Sequence, residues 1–135
     1  MLGIKGKRYD MKKLADSGQF DLTVVHRFYY NPQEYFDDLA EFAATHRSPL
    51  RNYTPAFVIN SEDERQVFIR ECFEARASYM KLGLIGVLHE ISVMEDAVQQ
   101  NMLKEFSDGQ IKFLADLEIC IETIKDAETR WVIGK

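Results

Sequence analysis

Residues 61–87 read SEDERQVFIRECFEARASYMKLGLIGV, and this stretch sets the fold class. Ser61 with Glu64 is a capping box, in which the cap hydroxyl and the later carboxylate satisfy backbone N–H groups that the first helical turn leaves unbonded. Glu62, Asp63 and Glu64 place carboxylates where the helix dipole is positive. Beyond them Phe68, Cys72, Ala75, Tyr79 and Leu82 step by four, three, four and three. That is one face of a 3.6-residue repeat, widened by Ile69, Phe73 and Met80, so a long helix is predicted. Gly83 and Gly86 interrupt it among apolar neighbours, which predicts a bend or close contact rather than a loop.

On the C-terminal side Val87, Ile91, Met94, Val98 and Met102 resume the period, giving a helix to about Phe106 with Ser107-Asp108-Gly109 as its turn. A last helix carries Ile111, Leu114, Leu117, Ile121 and Ile124 as an apolar stripe flanked by Phe113 and Cys120, with Glu118, Glu122 and Lys125 pointing away. The short turn makes these helices antiparallel neighbours. On the N-terminal side Asn31-Pro32-Gln33-Glu34 is a second capping box with Pro at the first helical position, opening a helix to about His46 that Ser48, Pro49 and Pro55 stop. The stretch 47–60, with Arg51, is a long connection expected to pack through Tyr53, Phe57 and Ile59. Phe20 to Tyr30 fits two periods. Leu22, Val24, His26, Phe28 and Tyr30 alternate, whereas Phe20, Val24 and Phe28 are spaced by four. A lone strand beside helices has no pairing partner, which favours helix.

The chain of 135 residues is one domain's length, and 46% hydrophobic with only seven Gly and three Pro it excludes disordered and low-complexity classes. A net charge of −5 argues against a nucleic-acid surface. Met1 to Gly18 carries Lys5, Lys7, Arg8, Lys12 and Lys13 against Asp10 and Asp16, a basic N-terminal arm on an acidic body spanning residues 19–135. This arm is expected to be solvated, with docking to an acidic partner as the alternative. No apolar run is long enough for a membrane span and no signal-like segment follows the basic start, so a cytoplasmic protein is expected.

Spacing removes the familiar catalytic and metal sites. Three residues before His26, His46 and His89 stand Thr23, Ala43 and Gly86, so no Glu-x-x-His pair for a di-iron centre exists. Cys72 and Cys120 are far apart on apolar faces and read as buried small hydrophobes rather than zinc ligands. No phosphate-cradling loop or nucleophile elbow occurs. Asp37-Asp38 and Glu95-Asp96 read as solvated helix faces, because adjacent helical residues diverge by about 100°. Neither cofactor nor metal is implied.

Val24-Val25-His26-Arg27-Phe28-Tyr29-Tyr30-Asn31-Pro32-Gln33-Glu34-Tyr35-Phe36-Asp37-Asp38-Leu39 resembles the first long helical segment of histidine-containing phosphotransfer (HPt) domains. Ala75-Arg76-Ala77-Ser78-Tyr79-Met80-Lys81-Leu82-Gly83-Leu84-Ile85-Gly86-Val87 is similar to the HPt segment that bears the phosphorylated histidine and ends in an apolar-Gly-small step. Aligned on Gly86, the resemblance puts Arg76 at the histidine, Tyr79 at a phosphate-assisting lysine and Met80 at a glycine that leaves room for the partner. A guanidinium stays protonated and cannot be that nucleophile. The resemblance therefore implies an all-α, up-down four-helix bundle with an N-terminal helical extension. Its implied function is a non-catalytic module of bacterial-type two-component signalling that docks a receiver domain or kinase. Arg76, Phe73, Tyr79, Met80 and Gly83 are the candidate partner-binding residues, with Arg76 facing a phosphoaspartate; a solvated Arg76 paired with Glu62 or Glu74 is the plainer reading. The alternatives are a helical adaptor or oligomerisation domain, and a small-ligand sensor with a pocket lined by Tyr79, Met80 and Phe73.

Overall fold

The computed structural model describes residues 7–45, 50 and 53–129, of which 77% are helical. In chain order these form β1 (Arg8–Tyr9), α1 (Met11–Asp16), α2 (Leu22–Val25), α3 (Pro32–Thr45), α4 (Pro55–Ile59), α5 (Glu62–Leu82), α6 (Ile85–Gln99), α7 (Leu103–Ala127) and β2 (Glu128–Thr129). No helix among the described residues is long and apolar enough to cross a membrane.

Helix α5 begins as its sequence predicts. Ser61 has extended backbone and its Oγ accepts from the Glu64 N–H at 3.3 Å. The reciprocal half of the box is replaced, since the Ser61 N–H turns back to the Val58 carbonyl at 3.5 Å. The helix ends because Gly83 enters the left-handed region, φ +78°, and the Leu84 N–H bonds to the Tyr79 carbonyl at 2.9 Å, the wrap that satisfies a helix's last carbonyls. A Cβ on Gly83 would meet the Asp21 carbonyl oxygen at 2.8 Å and Val25 Cγ2 at 2.9 Å, so conformation and space both demand glycine. This reversal is stitched to residues 19–21. The Asp21 N–H donates to the Gly83 carbonyl at 2.8 Å, the Gly86 N–H donates to the Gln19 carbonyl at 3.3 Å, and Phe20 bridges Leu84 antiparallel.

The next reversal falls earlier than predicted. Asn101, at φ +56°, makes the left-handed turn after α6, and α7 starts at Leu103. Ser107, Asp108 and Gly109 lie inside α7 instead of forming a turn. Their composition is explained by packing and pairing: Gly109 is buried where a Cβ would lie 3.2 Å from Met94 Cγ, and Asp108 accepts from Lys104 Nζ at 2.9 Å one helical turn away. Glycine here lets α6 and α7 approach closely. The helices run antiparallel, since Arg76 reaches Ser92 across the first reversal and Gly109 meets Met94 across the second.

Helix α3 is capped by Asn31 Oδ1, which accepts from the Glu34 N–H at 2.9 Å, and buries Tyr35, Phe36, Leu39, Ala40, Phe42 and Ala43. His46, Ser48, Pro49 and Arg51 lie outside the described residues. Pro55, expected as a stop, is instead the first residue of α4. In that connection Tyr53 packs edge-on against Phe68 at 5.0 Å and Ile59 is buried, but Phe57 is exposed and Val58 takes its place inside. Phe20 to Tyr30 holds only one helical turn, α2, capped by Asp21. The face spaced by four is not the buried one, for Phe20 and Val25 are inside and Phe28 is exposed.

The described part of the basic arm is not a solvated tail. β1 pairs antiparallel with β2, Arg8 opposite Thr129 and Tyr9 opposite Glu128, while Lys7 Nζ reaches Glu128 at 2.6 Å. Tyr9 and Leu14 are buried, so burial anchors what net charge suggested was free. In the interior α5 packs on α6, α6 on α7, and α3 on both α5 and α7. Tyr79 sits between Phe42 and Phe113 at 5.9 and 6.3 Å.

Candidate functional site

Helix α5 turns Cys72, Ala75, Tyr79 and Leu82 inward. Phe73, Ala77 and Met80 therefore lie in a row on the outer side, at i, i+4 and i+7. Phe73 is 73% exposed and Met80 44%, while Tyr79 is only 2% exposed and belongs to the core. Of the five predicted residues, Phe73 and Met80 thus share a surface. Arg76 borders it, and Gly83 is enclosed in the reversal below it.

Arg76 is neither free nor paired with Glu62 or Glu74. Its guanidinium hydrogen-bonds Glu95 of α6, and donates to Ser92 Oγ at 3.3 Å. The side chains of the pair are 30% and 19% exposed, so the contact is largely shielded. Sequence spacing along one helix does not find Glu95 or Ser92. The signal is the chain reversal at Gly83–Leu84, which folds residue 76 onto residue 92. Glu95 is accordingly no solvated face residue. Only one member of an adjacent pair points at a neighbouring helix, and Asp96 is the one left to solvent.

Burial pushes the Cys72 thiol up to about 12, with Glu95 adding to the rise and Arg76 opposing it; Cys120 is pushed up to about 12 chiefly by burial as well. Both are fully buried and thiol-form at neutral pH, which makes them packing groups rather than nucleophiles. His26 and His89 are exposed. Among the described residues no three His, Cys, Asp or Glu side chains gather as metal ligands.

A cleft of about 660 Å³ opens beside α2 and α3, lined by Phe28, Tyr29, Glu34, Asp37, Asp38, Glu41 and Lys81. None of Phe73, Tyr79 and Met80 lines it. The Tyr29 hydroxyl donates to Asp38 Oδ2 at 2.6 Å, and Lys81 Nζ lies 3.8 Å from Asp38 and 5.2 Å from the Tyr29 ring centre. Burial, then this bond to Asp38, drives the phenol well above its ordinary range. Asp38, read as solvated, is thus engaged on both sides. In comparisons with known proteins no family model matches the chain, and neither a curated protein nor a solved structure matches it.

Proposed function

We propose that this chain is a non-catalytic, HPt-like interaction module of the cytoplasm that docks a receiver domain through the outer face of α5. The observation that carries the reading is the row Phe73, Ala77 and Met80, kept outside on a helix whose opposite side is core. Burying a Phe side chain in an interface supplies about 2 kcal/mol or more, and such aromatic anchors dominate docking energies. The arrangement of α3, α5, α6 and α7, each packed on two of the others, supports the four-helix bundle that the resemblance implies. Arg76 in this reading is a bordering residue. Its charge is balanced by Glu95, so recognition rests on the apolar row rather than on a partner's phosphoryl group.

Calorimetric titration of purified receiver domains, phosphorylated and unphosphorylated, tests this. Binding of both within a few-fold of each other is expected, weakened about tenfold or more by Phe73→Ala with Met80→Ala, both exposed positions whose loss leaves the core intact. A second reading has its own observation: α7 exposes Ile111 and Ile119, spaced by eight on one face. Self-association that Ile111→Ser and Ile119→Ser abolish, with no receiver bound, replaces the docking module by an oligomerisation domain.

A further inference from the structure

The α6–α7 seam encloses a charge arrangement that neither reading of the surface uses. Glu90 of α6 is 5% exposed, and its Oε1 is buried with no hydrogen-bond partner. Its other oxygen is 3.4 Å from Lys112 Nζ, and the same ammonium lies 3.2 Å from Asp116 Oδ2. One cation therefore serves two carboxylates. A buried acceptor left unmade costs as much as a lost hydrogen bond, and two like charges close together disfavour each other's ionised forms.

We infer that Glu90, Asp116 and Lys112 form a one-proton latch between α6 and α7. With a proton on Glu90, the carboxylic acid gains an O–H donor for Asp116, the cluster becomes neutral and the seam closes. Without it, two carboxylates share one ammonium in a shielded place and the seam is weaker. The proton comes from solvent along Lys112, whose side chain is 65% exposed.

The influences on Glu90 are unequal, and those that favour its protonated form prevail. Burial disfavours its carboxylate most, Asp116 adds to this through hydrogen bonding and charge, and Lys112 opposes both. The Cys120 thiol, one turn beyond Asp116, is buried and uncharged at neutral pH. From α5, the cation at the neighbouring seam, Arg76, is committed to Glu95. Residues 19–21, which pack against the start of α6, bring the neutral Gln19 amide, with its Oε1 3.7 Å from Cys120 Sγ. The native state thus holds the Glu90 proton more tightly than the unfolded chain does. Stability is fully present below the ordinary Glu range and is lost as pH rises from there through Glu90's native value.

The test is a carbon-13 carboxyl titration of the intact chain, with urea midpoints from pH 4 to 8 for the native protein, Glu90→Gln and Asp116→Asn. Glu90 is expected to titrate above the ordinary Glu range. Each unit of that displacement makes the folding constant about tenfold larger in acid than at neutral pH. Glu90→Gln removes this step, because its amide supplies the missing donor at every pH. Asp116→Asn shifts the Glu90 titration to lower pH. The latch is refuted if the native chain and Glu90→Gln share one pH profile, or if Asp116→Asn leaves the Glu90 titration where it was.

Discussion

Helix α6 is the middle of two antiparallel hairpins, and they are closed by different means. The hairpin with α5 turns on Gly83, is bound by backbone hydrogen bonds to residues 19–21, and carries a carboxylate, Glu95, met by a guanidinium that also donates to the Ser92 hydroxyl. The hairpin with α7 turns on Asn101, and its carboxylate, Glu90, shares a lone ammonium with Asp116. A planar guanidinium has donors enough for two acceptors in fixed directions, whereas an ammonium is a point charge. The difference teaches that how fully a shielded acid is satisfied depends on how many donors its partner can aim at it. One seam has its shielded carboxylate paired with a guanidinium, and the other leaves a carboxylate oxygen unmet.

The sharpest way to break the contrast is at the first reversal. Gly83→Val puts a β-branched residue at φ +78° and drives its Cβ onto the Asp21 carbonyl, so a loss of about 3 kcal/mol is expected by urea denaturation. A loss under about 1 kcal/mol would show that residues 19–21 yield and that the hairpin is not locked there. Arg76→Met comes next. It strands Glu95 in a largely shielded position, and a loss of about 2 kcal/mol follows, with Glu95→Gln in the same chain recovering much of it. Additive single effects would dissolve the pair as a structural unit.

Much of this was legible in the sequence, and the parts that were not share a cause. The caps at Ser61 and Asn31 are fixed by backbone groups within one turn and the stripe from Phe68 to Leu82 by the repeat of its own helix, so these signals are local, and each forms. Gly109 has the sequence signature of a turn because a glycine inside a helix and a glycine after one look alike until the neighbour is known; Met94 is that neighbour. The arm differs for the same reason, since Tyr9 is buried against Phe36, its strand pairs with β2, and the helix of Leu14 packs on α7, all distant in sequence. Among the candidate docking residues, Phe73 and Met80 are expected to widen the inner face with Tyr79, but the buried stripe is narrower than that, and only Tyr79 is inside. Arg76 was separated from its true partner by a reversal rather than by helical spacing.

A smaller effect sharpens the Glu90 side of the contrast. At pH 7 Glu90→Gln should raise stability by about 1 kcal/mol, because the amide N–H puts a donor toward Asp116 in place of the unmet carboxylate oxygen and buries no charge. The gain should shrink in acid, where native Glu90 takes up its own proton. Equal gains at pH 4 and pH 7 would mean that packing, not protonation, separates the two side chains.

The smallest expected effect belongs to the second reversal, and its size is the point. Asn101 already occupies the left-handed region that glycine enters without cost, and it is exposed, so a Cβ there meets no obligate clash. Asn101→Gly removes a side chain that accepts from Arg65 at 3.2 Å, a solvent-exposed contact that contributes little, and relieves mild backbone strain. These changes oppose each other, and a shift within about 0.5 kcal/mol is expected. Set against Gly83→Val, a null result here places the difference between the hairpins in what surrounds each turn rather than in the turn's own dihedral angles. A loss above about 1 kcal/mol would instead make the Asn101–Arg65 contact a tie between α5 and the second hairpin, and the two hairpins would then have to be treated as one locked unit.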